Sequence, residues 1–85
     1  MRLDKFLKVS RLIKRRTIAK EACNSGIISI NGKTAKASTE ISIGDIIEIR
    51  FGEKLTKVKV TEIREHVLKK EACEMYEVMQ QDMEL

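Results

Sequence analysis

The hydrophobic period of this chain changes at Gly26, and that change restricts the fold more than any other feature. Before it, Leu3, Phe6 and Leu7 recur at i, i+3 and i+4, the spacing of one apolar helical face. Ile18, Ala19, Ala22 and Cys23 mark the apolar side of a second helix over about residues 16–24. After it, Ile28 and Ile30 alternate with Ser29 and Asn31, and Ile47, Ile49 and Phe51 alternate with Glu48 and Arg50. Val58 and Val60 alternate with Lys57, Lys59 and Thr61. Alternation is the pattern of strands with one buried face. The chain therefore reads as α+β: two packed N-terminal helices followed by a small, bent antiparallel sheet.

Proline is absent, so the four glycines carry the punctuation. Asn24-Ser25-Gly26 supplies a left-handed cap for the second helix. Asn31-Gly32 between extended segments predicts a tight hairpin, because both positions accept positive φ. Ile43-Gly44-Asp45 and Gly52-Glu53 read as further turns, and residues 33–43 as polar and partly irregular. From about His66, Leu68, Ala72, Met75 and Met79 follow a helical spacing. They predict a C-terminal helix lying on the body by one stripe, with Phe6 and Phe51 in the core. Residues 1–64 then form one folded unit and 65–85 an acidic helix packed on it or trailing from it. At 85 residues a single domain is expected, with little room for a deep catalytic cleft.

The net charge of +4 conceals a segregation. Residues 1–36 hold ten Lys/Arg against Asp4 and Glu21, whereas residues 65–85 hold Lys69 and Lys70 against six acids. A need for solubility alone would intersperse the signs. Arg2, Lys5, Lys8, Arg11, Lys14, Arg15, Arg16 and Lys20 fall on the two helices and their connector. Cations at that density repel one another, and a phosphate backbone relieves the repulsion while releasing counterions. Arg15 and Arg16 stand at the start of the second helix, where a cation opposes the helix dipole. Free N–H groups there favour phosphate. The bland alternative is a solvated basic face. Lys33 and Lys36 follow the Asn31-Gly32 turn and either extend the basic patch or keep an edge strand from aggregating.

The only aromatic residues are Phe6, Phe51 and Tyr76, which offers no stacking platform for unpaired bases. The expected ligand is structured RNA, read by shape and phosphate positions. Two short basic helices also suit a DNA-binding helix-turn-helix, although the short connector and the hairpin after the second helix count against it. No catalysis is expected. His66 is the single histidine and reads as a surface residue, and Cys23 and Cys73 show neither CxxC nor zinc spacing. No cofactor or metal is expected. No window nears the roughly 20 apolar residues of a membrane span, and the opening lacks an apolar signal-peptide core. A cytoplasmic chain with reduced cysteines is expected.

These residues also carry a family resemblance. Arg2-Leu3-Asp4-Lys5-Phe6-Leu7, then Arg16-Thr17, then Gly26-x-Ile28-x-Ile30-Asn31-Gly32-Lys33, then Gly44-Asp45-x-Ile47-Glu48-Ile49 follow one another over about residues 1–51. Their order and spacing resemble the S4-type RNA-binding domain. The whole chain is similar to the bacterial ribosome quality control protein P family, through its opening 17 residues, Phe51-Gly52-Glu53-Lys54-Leu55, and Lys69-Lys70-Glu71-Ala72 with Met75-Tyr76. The small heat-shock ribosome-binding proteins are a related group. The resemblance implies an RNA surface made by the basic helices and the loop around Asn31-Gly32-Lys33. It implies a factor that binds stalled large (50S) subunits, touching large-subunit ribosomal RNA and peptidyl-tRNA together. It further implies an alanine-tailing ribosome quality control protein on the same particle. The alternative within this resemblance is a generic RNA-binding or heat-shock recycling protein. Arg15 is a departure: the wider family often has serine there, a natural helix cap.

Overall fold

The computed structural model describes residues 1–81. Helix α1 spans Leu3–Val9 and α2 spans Arg16–Asn24. The strands are β1 (Ile28–Ile30), β2 (Lys33–Thr34), β3 (Ile46–Phe51), β4 (Lys54–Val60) and β5 (Tyr76–Gln81). A 3-10 helix, Lys69–Met75, precedes β5. The sheet order is β2-β1-β3-β4-β5, with every neighbouring pair antiparallel.

The apolar periods build one shared core. Leu3, Phe6 and Leu7 of α1 are fully buried together with Ala19 of α2, Ile28 of β1, Ile47 of β3, and Val58 and Val60 of β4. Small residues on α2 let the helices approach closely, and Cys23 serves there as a buried apolar group. Asn31 and Gly32 both take positive φ, 52° and 85°, as a two-residue hairpin turn with right-handed strand twist requires. The turn thereby pairs Ile30 with Lys33.

The segment between β2 and β3 fixes the start of α1. The N–H of Leu3 donates to the Thr39 carbonyl at 2.8 Å, and the N–H of Asp4 donates to the Ala37 carbonyl at 3.2 Å. The Met1 amino group meets the Glu40 carboxylate at 2.9 Å. Arg2 is thus held by backbone on both sides, although it stands at the chain's end.

Three expectations change. The helix expected from about His66 through Met79 is a 3-10 helix that ends at Met75 and gives way to β5. The local helical spacing loses to a long-range gain. Without β5, the outer edge of β4 would expose a row of unpaired backbone groups. Instead Tyr76, Glu77 and Val78 pair with Val60, Lys59 and Val58. The expected stripe divides accordingly: Ala72 and Met75 are buried, whereas Leu68 and Met79 are exposed. Ile18 is 45% exposed, because Ala19, Ala22 and Cys23 already fill the buried side of α2. Phe51 is 41% exposed, because it pairs with Lys54 at the turn end of the β3–β4 hairpin, next to Gly52 and Glu53.

Candidate nucleic-acid interface

The site is built around a residue whose role the charge pattern hides. Asp4 lies in the first turn of α1 and is only 2% exposed. Its Oδ1 accepts the N–H of Lys5 at 2.8 Å and lies 3.3 Å from Nε of Arg2. Its Oδ2 lies 3.5 Å from Nη2 of Arg2 and 3.5 Å from Nε of Arg16. A buried carboxylate is costly unless charge and hydrogen bonds surround it. Arg2, the N-cap of α1, supplies charge and a hydrogen bond, and Arg16, which opens α2, supplies a second charge. Each keeps its side chain 48% exposed. Each guanidinium therefore keeps surface that an anion can reach. Thr17 and Lys20 line the same shallow recess. Sequence reasoning missed Asp4. The available signal was its helical phase: three residues before Leu7, it falls on the apolar side of α1.

A second recess lies at the other end of α1, lined by Lys8, Arg11 and Lys14 with Glu65, His66 and Val67. Arg11 adopts the left-handed region at φ 62° just after the helix, and its N–H donates to the Lys8 carbonyl at 3.1 Å. Lys5 is engaged by the carboxylate of Glu65, sixty residues away in sequence. That hydrogen bond, reinforced by the lysine charge, holds the Glu65 carboxyl below its usual range. Lys8, Arg11 and Lys14 thus line one recess and Arg2, Arg16 and Lys20 another.

Arg15 is the N-cap of α2 and makes no side-chain capping bond, so the serine's absence leaves the first-turn N–H groups uncapped. Lys36 neighbours Ala37, whose carbonyl binds the start of α1, and so lies beside the Arg2 end. Lys33 stands on the edge strand β2. The Asn31 amide is committed within the fold: its Oδ1 accepts the Ile46 N–H at 2.9 Å and its Nδ2 donates to Asp45 at 3.1 Å. Among the described residues, no three His, Cys, Asp or Glu side chains cluster as metal ligands. No helix among them is long and apolar enough to cross a membrane.

Residues 1–47 match the S4 domain, the segment that carries both helices, the hairpin and most of the basic residues. The RQC P-site tRNA stabilizing factor of Halalkalibacterium halodurans is 57% identical over 96% of this chain and 93% of its own length. That of Bacillus subtilis is 55% identical over 96% of this chain and 95% of its own. The chain belongs to this family of S4-domain proteins. Its fold also superposes on heat shock protein 15 of Vibrio cholerae, solved as a trimer, with a TM-score of 0.84 and 30% identity. That match covers 93% of this chain and 81% of the other.

The two cysteines differ in exposure and reactivity. Burial, and secondarily the nearby Asp4 charge, push the Cys23 thiol up to about 11 from 9.0, so it stays protonated at neutral pH. Cys73 is exposed. Iodoacetamide at pH 8 should therefore label Cys73 in the folded protein and reach Cys23 only after denaturation, as peptide mass spectrometry will show. The unfolded state releases the thiol proton first, so the stability that Cys23 contributes is complete below about pH 9 and declines toward about pH 11. The melting temperature of the parent relative to Cys23→Ala should narrow over that interval.

Proposed function

We propose that this chain is a non-catalytic, cytoplasmic RNA-binding factor of ribosome quality control. It binds stalled large subunits and steadies the peptidyl-tRNA in the P site, touching large-subunit ribosomal RNA and tRNA at once. In that position it supports C-terminal alanine tailing of the nascent chain by a partner protein on the same particle. Its contacts are Arg2, Lys5, Lys8, Arg11, Lys14, Arg15, Arg16 and Lys20, extended by Lys36, Lys33 and the hairpin loop that the Asn31 amide braces from within.

The observation that carries this reading is the meeting of Arg2 and Arg16 on buried Asp4, with both arginine side chains left about half exposed. Planar donors held in this way suit phosphate oxygens better than mobile lysines do. Arg11 supports it too. A non-glycine residue in the left-handed region is strained, and a charge kept at such a place is better explained by use than by packing. The relatives named for P-site tRNA stabilization supply the biological setting. A general heat-shock recycling role is the second reading, favoured by the likeness to heat shock protein 15.

Equilibrium competition tests the ligand class. Large-subunit RNA or tRNA should displace a bound RNA probe far better than duplex DNA at matched salt. With about four to six phosphates neutralised, log K should fall against log[salt] with a slope of roughly −3 to −5. A slope near zero, or equal displacement by duplex DNA, would refute the reading.

A further inference from the structure

We propose that Asp4 is a positioning residue: its buried carboxylate sets the spacing and orientation of Arg2 and Arg16 so that both grip the same short stretch of RNA backbone. The inference rests on the RNA-binding reading above and names how that site achieves its specificity. An acid within an RNA-binding surface is a liability by charge alone, because it repels phosphate. This one is placed where that cost is least. It is 2% exposed, and the two guanidiniums lie between it and solvent.

The geometry divides the donors of each arginine by task. Arg2 turns Nε and Nη2 toward Asp4, and Arg16 turns Nε toward it, while about half of each side chain stays exposed. Both arginines approach a single carboxyl group, so neither can swing away without leaving Asp4 less well paired. The carboxylate also offsets the mutual repulsion of the two cations, which would otherwise splay apart on a surface already crowded with positive charge. Its own position is fixed by backbone: its N–H is bound by Ala37 and its Oδ1 accepts the Lys5 N–H. The ordering cost of the two long side chains is thereby met in the free protein rather than at the moment of binding.

Charge counting and positioning predict opposite signs for Asp4→Asn. The substitution nearly preserves shape and leaves an oxygen to accept the Lys5 N–H, but it removes one negative charge. Counting alone predicts tighter binding to any polyanion. Positioning predicts that binding to purified large ribosomal subunits weakens roughly twofold to 150-fold, the range of couplings between residues in contact. Binding to heparin, which has no fixed RNA geometry, should be unchanged or slightly tighter. Damage to the fold would lower both.

The test measures both ligands for the parent, Asp4→Asn, Arg2→Ala and Arg16→Ala, below each variant's melting transition. Selective loss for Asp4→Asn on large subunits supports the proposal. If Asp4→Asn binds large subunits as well as the parent while the arginine variants are weakened, the positioning role is wrong and the RNA site stands. If the arginine variants also bind like the parent, the site itself is wrong. Should Asp4→Asn fail to fold, the parent supplies the measurement. The Nε–H signals of Arg2 and Arg16 in nitrogen-15 NMR should be protected from exchange and should persist as large-subunit RNA is added. Their loss on binding would overturn the proposal, since it would mean that RNA takes the arginines away from Asp4.

Discussion

Met75→Ala is expected to lower the unfolding free energy by about 2–5 kcal/mol, the range for truncating a buried methionine. Met75 ends the 3-10 helix, is fully buried, and joins the core that α1, α2 and the sheet share. Its carbonyl also accepts the N–H groups of Thr61 and Glu62 at 2.9 and 3.2 Å, which brings the chain back to β4. A domain this small has only a few kcal/mol to lose. The loss should therefore move the urea midpoint by roughly 2 M or more at the slope of about 1 kcal/mol/M expected for such a chain. Leu68→Ala is the matched control. Leu68 belongs to the same helical spacing but is 61% exposed, so its loss should stay within about 0.5 kcal/mol. Equal, small effects of the two substitutions would mean that the C-terminal segment contributes nothing to the core.

That contrast shows where local pattern ends. Leu3, Phe6 and Leu7 identify α1 because one face of a short helix is filled by those positions alone. Asn31-Gly32 identifies its hairpin because the backbone there takes positive φ at both positions. Ile18 and Phe51 mislead because periodicity marks a face but not how far the neighbouring element reaches along it. β5 misleads more deeply. Whether Tyr76–Gln81 is helix or strand depends on the open edge of β4, which no window around residue 76 contains. The site divides in the same way. Its cations are visible in the charge segregation, but which of them line a common recess is not. The bond between Lys5 and Glu65 joins residues sixty apart, and Asp4 is disclosed by helical phase only once α1 is known to be covered by residues 35–41.

Arg2→Ala and Arg16→Ala should each weaken binding to large subunits by about 1–3 kcal/mol, roughly fivefold to 150-fold. Each guanidinium offers several donors in a planar fork, and neither spends them all on Asp4. Lysine keeps the charge but not the fork, so Arg→Lys should restore binding only in part. Removing one arginine leaves Asp4 its other partner and the Lys5 N–H, and the melting temperature should fall little. Removing both strands a buried carboxylate and should cost about 3–5 kcal/mol of stability, so the single variants are the informative ones. Glu74→Ala provides the control: Glu74 lies next to Arg64 at 3.7 Å, in the acidic C-terminal segment. The decisive measurement is co-sedimentation of parent, Arg2→Ala, Arg16→Ala and Glu74→Ala with large subunits carrying peptidyl-tRNA, at one fixed salt concentration. The parent and Glu74→Ala should pellet with the particle while both arginine variants stay largely in the supernatant. Equal pelleting of all four proteins would contradict the claim that the two basic helices are the RNA-binding face.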